Sequence, residues 1–410
     1  MNRFQPNPQV AYKEFVCTIE PQSSFLTPFL ADTFWAALMW THAYMHGDER
    51  RTRDLVHADP PHILVSDGFP YGYLPKPKNF IPIDQVVRIV QQEYGDNWEK
   101  QLMGVEIAKR LAEQRLLPVG LVNRLVSGES EAELLRELLR VEWCPKRFIR
   151  TIDWVADTDE NREILGLIKT HCNSDGCDAV TPATNVEHKR KCHYNCRRIL
   201  DSDALKRFKI VEEKRVRKNR IDRALMRALD ENGLYSQAEA YWLHNLWWVF
   251  VRVHPDFSDE LVDLFSRLSS YGYGRRKSVG KGQFRARLVE PSRISGVQLP
   301  QEASDTDGFM SLSSSYVPGV EEFTESRYTT HIKRGKVDGH LASSGKFMKK
   351  PIVMYQAGSV FQTNRSQAYY GRVVKDIYDS QAGVGSQPRD IVQYGYAFPL
   401  HGKFFCEAQA

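Results

Sequence analysis

Residues 246–289 read LWWVFVRVHPDFSDELVDLFSRLSSYGYGRRKSVGKGQFRARLV, and this stretch sets the fold. Leu246–Val253 is strand-like, and within it Trp247–Val251 is the strongest apolar run of the chain. Ser258 stands where a helix cap belongs, and Leu261, Leu264, Phe265 and Leu268 follow at helical spacing. A glycine-rich loop comes next, and Gln283–Val289 resumes as a strand. Working outward, Tyr12–Glu20 alternates as a strand. A helix from Asp32 to His46 then carries Trp35, Leu38, His42 and Met45 on one stripe, with Gly47 as its stop. A further strand is expected near His62–Ser66. With residues 70–235 set aside, the order is β-α-β followed by β-α-loop-β. That order predicts an α+β protein whose first domain, 1–295, is ferredoxin-like, the RRM-like arrangement. The part set aside is a large helical and Cys/His-rich insertion. It is expected to hold helices over 83–139, with Ser130 and Glu133 as a capping box, a cysteine-rich segment at 171–196 and a basic hairpin at 205–232. A Ser/Asp/Gln-rich connector near 295–315 leads to a second RRM-like domain over 296–410, with strands expected at Pro351–Tyr355 and Asp390–Phe398.

Composition excludes several classes. Of 410 residues, 42% are hydrophobic and 26% charged, which is a soluble globular balance and not that of a disordered chain. No stretch has the length of a membrane span, and the first fifteen residues lack the apolar core of a signal peptide. A cytoplasmic location is expected, with no membrane partner and no disulfides. The net charge is only +5, but it is unevenly spread. Residues 205–223 carry nine Lys/Arg against Glu212, Glu213 and Asp222. Such a stripe fits a phosphate-binding surface or a solvated charged face.

In YGYGRRKSVGKGQF, 271–284, Gly272, Gly274, Gly280 and Gly282 alternate with Arg275, Arg276, Lys277 and Lys281 around one hydroxyl, Ser278. Glycine permits positive φ and close backbone approach, and Arg and Lys give charge-assisted donors to phosphate oxygens. The spacing matches neither GxxxxGK[ST] nor a full GxGxxG. The segment reads as a clamp on an extended phosphodiester chain, or as an exposed basic turn. Tyr271, Tyr273 and Phe284 are placed either to stack on bases or to pack the core.

Cys172, Cys177, Cys192 and Cys196 form two close pairs in a stretch that also holds His171, His188 and His193. In a reducing compartment two such pairs point to tetrahedral zinc, and four protein ligands would make the ion structural.

These segments resemble the RAMP superfamily of CRISPR proteins, and most closely the fourth Csm subunit of type III-A effector complexes, which caps the 5′ end of the guide RNA. The resemblance is carried by GYGRRKSVGKGQF at 272–284 and SDGFPYGYLPKPK at 66–78. It is carried also by KNRIDRALMRALDENGLYSQAEAYW at 218–242 and FMKKPIVMYQAGSVF at 347–361. It implies two RRM-like domains, no catalytic centre, and binding of the guide (crRNA) 5′ handle. It further implies docking of the large polymerase/cyclase-like subunit and of the backbone RAMP subunit, with target RNA met only indirectly. A projecting basic hairpin in 205–232 would kink the guide beside the handle, lined by Arg217, Lys218, Arg220 and Arg223. The helical insertion and the cysteine cluster have no counterpart in that pattern.

Two other readings compete. Some RAMP proteins cleave precursor guide RNA with a histidine general base, and His42 and His46 are the candidates by position. His42, however, shares its stripe with core residues. A zinc-stabilised protein that binds only other subunits is the third.

Overall fold

The computed structural model describes residues 11–140, 211–219, 221–222, 227–228, 233–242, 246–291, 305–319, 321, 323–337, 348–378 and 391–405. The fold is α+β with several small antiparallel sheets.

The central strand β1 (Lys13–Pro21) leads to α1 (Ala31–His46), which ends at Gly47 with φ 63°, the left-handed cap the sequence anticipates. After α2 (Glu49–His57) come β2 (Ile63–Val65), β3 (Phe69–Pro70) and β4 (Tyr73–Pro75). The helical segment follows as α3 (Ile83–Tyr94), α4 (Trp98–Glu113), β5 (Leu116–Pro118), α5 (Val119–Val126) and α6 (Glu131–Arg140). The Ser130 N–H donates to Glu133 Oε2 at 2.8 Å and Glu133 N–H to Ser130 Oγ at 3.2 Å, the reciprocal pair of a capping box. This helical segment shares one apolar core with the main sheet, through Val86, Ile89, Leu111, Leu135 and Leu139. Lys76, at the end of β4, is buried and pairs with Glu131 Oε1 at 2.5 Å, which ties the strand to the start of α6.

β6 (Val211–Asn219), β7 (Ile221–Asp222), β8 (Arg227–Ala228) and β9 (Leu234–Trp242) form the hairpin, with β6 on β9 and β7 on β8, both antiparallel. Its returning strand lies beyond the predicted bound at 232. Then come β10 (Trp247–Val253), α7 (Leu261–Tyr271) and β11 (Phe284–Val289). The main sheet has the order β11-β1-β10-β2, with β3 also on β10, and all pairs are antiparallel. All seven residues of β10 are buried. It is covered on both faces, which is why Trp247–Val251 is a continuous apolar run and not an alternation. Arg252 is fully buried in it. Its Nε donates to Glu14 Oε1 at 2.9 Å, its Nη1 to Ala368 O at 2.8 Å, and the guanidinium lies over Phe398. Ser258 does not cap α7. It sits in a 3-10 turn over Pro255–Glu260, where its hydroxyl accepts from Lys13 Nζ.

The C-terminal half contributes β12 (Gly308–Ser311), β13 (Ser326–Arg327), β14 (Thr330–Lys333), β15 (Ile352–Tyr355), β16 (Val360–Gln362), β17 (Tyr370–Gly371), β18 (Tyr396–Ala397) and β19 (Pro399–Gly402). Its main sheet runs β13-β16-β12-β19. Among the described residues this half carries no α-helix, so the second β-α-β-β-α-β unit is not found among them. The expected strand over 390–398 is reduced to β18 and one bridge, Val374 to Gln393. Aromatic packing takes over, with Phe309 and Tyr370 stacked at 3.9 Å between centroids. Asp67 joins the halves by accepting from the Ala31 N–H at 2.8 Å and from the Ser314 N–H and hydroxyl. Burial pushes its carboxyl up to about 6, against those hydrogen bonds.

Candidate nucleic-acid interface

The glycine-rich loop starts where α7 ends. Gly272, Gly274, Gly280 and Gly282 all have positive φ, and so does Arg276 at 63°. The loop is laced to the segment after β1. Tyr273 N–H donates to Gly282 O, Gly282 N–H to Ser24 O, Arg275 N–H to Thr27 Oγ1 and Gln283 N–H to Ser23 Oγ. A side chain at Gly282 would strike the Tyr273 carbonyl, and one at Gly274 would strike Thr27. Gly274 and Gly282 are therefore needed for internal closure. Gly272, Gly280 and Gly282 spend their N–H groups on Leu268 O, Lys277 O and Ser24 O. Side chains, more than peptide groups, are what this loop presents outward.

Those side chains divide into two sets. Arg275, Arg276, Lys277 and Ser278 are exposed. Lys281 is not. Its Nζ lies 2.6 Å from Glu239 Oε2 and 2.8 Å from Ser24 Oγ. Lys218, from the hairpin, holds the other oxygen of the same carboxylate at 2.5 Å. Glu239 on β9 is 1% exposed, and Ser24 and Tyr241 also donate to it, at 2.9 and 3.2 Å. Burial alone would raise its carboxyl, but hydrogen bonds from Lys218, Lys281 and Ser24 outweigh that and hold it down at about 2. A second tie links loop and hairpin, since Arg276 Nη2 donates to Tyr235 OH at 2.8 Å. Phe25 bridges Ala240 through paired backbone hydrogen bonds, which seats the hairpin beside β1.

The strand register sorts the hairpin cations. Lys214 faces Glu239, Val216 faces Gln237 and Lys218 faces Tyr235. Because opposite residues share a face and neighbours alternate, these six lie on the clasped side. Arg215 and Arg217 lie on the other side, opposite Ala238 and Ser236, and both are exposed. Of the predicted stacking aromatics, Tyr273 and Phe284 belong to the core. Tyr273 stacks on Phe29 at 4.1 Å and donates its hydroxyl to Pro28 O. Tyr271 alone of the three is exposed, beside Tyr44. Arg220, Arg223, Cys172, Cys177, Cys192 and Cys196 lie outside the described residues.

Sequence reasoning missed Glu239 and Tyr235, the residues that join the two basic segments. The alternation Tyr235, Gln237, Glu239, Tyr241 on β9 was a usable signal once the hairpin register was known. It also missed Arg285 and Arg287, exposed on β11 next to the loop.

A Glu239→Gln variant is expected to lose about 1.5–3 kcal/mol, because two charge-assisted hydrogen bonds weaken. Denaturant unfolding of wild type and variant side by side measures this. The sign with pH follows from a folded pKa held below the ordinary 4.5. The contribution is full above that value and disappears as pH falls from there through about 2.

No family profile matches the chain, and no curated protein matches it. Solved structures do. A chain of the Csm3–Csm4 subcomplex of a type III-A CRISPR-Cas interference complex aligns at 13% identity and TM-score 0.46, over 92% of this chain and 98% of that one. A chain of a Csm1–Csm4 cassette in complex with pppApA aligns at 15% identity and TM-score 0.44, over 95% and 98%. A chain of a type III-B Cmr-beta complex bound to cognate target RNA aligns at 11% identity and TM-score 0.35, over 85% and 86%. Each likeness runs along most of the chain. Among the described residues, no helix is long and apolar enough to cross a membrane.

Proposed function

We propose that this chain is a non-catalytic guide-RNA-binding subunit of a type III CRISPR effector complex, and that it grips the 5′ handle of the guide with the loop and the hairpin together. One observation carries the reading: the two segments with the densest positive charge are joined through Glu239 and through Arg276–Tyr235, which holds the exposed cations of the loop beside the hairpin. Single-stranded RNA asks for backbone contacts and few groove contacts. Arg275, Arg276, Lys277, Arg215 and Arg217 supply donors to phosphates, with Ser278 as a neutral donor beside them. Arg220 and Arg223 extend the path by the sequence resemblance. By that resemblance too, the partners are a large polymerase/cyclase-like subunit and a backbone RAMP subunit. The order β11-β1-β10-β2 places the strands fourth-first-third-second, which supports a ferredoxin-like first domain.

The test is isolation of the complex with its RNA and mapping of the RNA 5′ end by cross-linking. Contacts at 275–277 and on the hairpin are expected next to the handle. An assembly free of RNA, or cross-links confined to other surfaces, overturns the reading. Binding without cleavage is favoured by the two candidate bases. His42 is 1% exposed with Nδ1 engaged by Thr52, and His46 is paired with Glu260. Labelled precursor RNA is expected to survive incubation with the protein in EDTA. We also propose zinc at Cys172, Cys177, Cys192 and Cys196, with Cys192→Ser expected to lower the bound zinc measured by elemental analysis.

A further inference from the structure

His42 and His46 are one turn apart on α1, so they share a face of the helix. That face meets Glu260, the residue before α7. His42 Nε2 lies 3.7 Å from Glu260 Oε2 and His46 Nε2 lies 3.1 Å from the same oxygen. All three ligand atoms fall within 4.8 Å of one another. Metal–ligand bonds of ~2.0–2.1 Å at tetrahedral angles put ligand atoms roughly 3.3 Å apart. The observed spacings bracket that value.

His42 supplies the independent sign. Its ring is buried, and Nδ1 sits 2.7 Å from Thr52 Oγ1, yet the equally buried Nε2 makes no hydrogen bond. At 3.7 Å the approach to Glu260 is too long for one in either tautomer. In the tautomer whose Nδ1–H donates to Thr52 Oγ1, the Nε2 lone pair faces the Glu260 carboxylate oxygen, and a cation between them would be held by both. Arg51 does not take that place. It donates to Glu260 Oε1, from an exposed position, and leaves Oε2 to the histidines.

We propose that His42, His46 and Glu260 bind one divalent transition-metal ion of the zinc class. The ligands are the two Nε2 atoms and Oε2, and Thr52 fixes the tautomer of His42 from behind. Two nitrogens and a carboxylate suit zinc and, by the same ligand chemistry, cobalt. Three protein ligands leave one position for water or for a partner's side chain. The ion would brace α1 against α7. The site is independent of the RNA reading and of the cysteine segment.

The experiment titrates the chelator-stripped full chain with Co2+, read by visible absorption, and then displaces it with Zn2+. Wild type is expected to bind one ion more than His46→Gln or Glu260→Gln. The missing component should lack thiolate charge-transfer absorption, which separates it from any cysteine site. Thr52→Val keeps the side-chain shape and is expected to weaken this component about 10–100-fold. A Thr52 acting only as a core hydrogen bond would change stability and leave metal affinity alone. Equal stoichiometry in wild type, His46→Gln and Glu260→Gln, with unchanged circular dichroism, overturns the proposal. So does a Thr52→Val chain with wild-type affinity.

Discussion

Replacing Gly282 with alanine is expected to destabilise the protein by about 4 kcal/mol or more, whereas the same change at Gly280 costs only about 1 kcal/mol. Both residues have positive φ, at 70° and 76°, so the conformational penalty is shared. They differ in surroundings. A Cβ at Gly282 would lie 1.9 Å from the Tyr273 carbonyl oxygen, and at Gly280 nothing lies within 4 Å. The Gly282 backbone cannot move aside, since its N–H is held by Ser24 O at 3.0 Å and its carbonyl by Tyr273 N–H at 2.8 Å. Relief would have to come from displacing Tyr273, which is stacked on Phe29 in the core. Urea unfolding of the two variants measures the difference. Equal midpoints would mean that the loop is not closed as described.

The second large effect concerns RNA. Arg275, Arg276 and Lys277 changed together to alanine should lower affinity for handle-bearing guide RNA about a hundredfold, at ~1 kcal/mol per phosphate contact. The salt dependence carries the sharper signature. Single strands release about 0.7 counterion per neutralised phosphate, so the log–log slope should flatten by about 2. Filter binding from roughly 50 to 200 mM salt reads both quantities. Lys281→Ala is expected to behave differently, losing stability with little change of slope, because its charge is already met by Glu239. An unchanged slope in the triple variant would remove the loop from the RNA path.

Much of the N-terminal architecture was legible in the chain. The apolar run of β10, the stripe and glycine stop of α1, and the Ser130–Glu133 capping box are local signals, and each element formed within a few residues of its expected place. The joints were not legible. Glu239 lies 42 residues from Lys281, and only the β6–β9 register and the Phe25–Ala240 bridge bring them together. The core role of Tyr273 and Phe284 was equally hidden, since an aromatic beside a basic loop has the same local sequence whether it faces solvent or Phe29. The C-terminal half departs furthest, because its short strands and stacked aromatics leave weak periodicity to read. Ser258 shows the limit of a single cap signal, as a 3-10 turn displaced the helix start to Leu261.

The pairing of β6 with β9 also has a parity. Lys218 is bound inward to Glu239, while Arg215 and Arg217 point to the other side, opposite alanine and serine. Sliding one strand past the other by a single residue would exchange the two sides, turning Arg215 and Arg217 toward the protein and Lys218 toward solvent. Adding or deleting one residue within 211–219 should therefore be far more harmful than adding two.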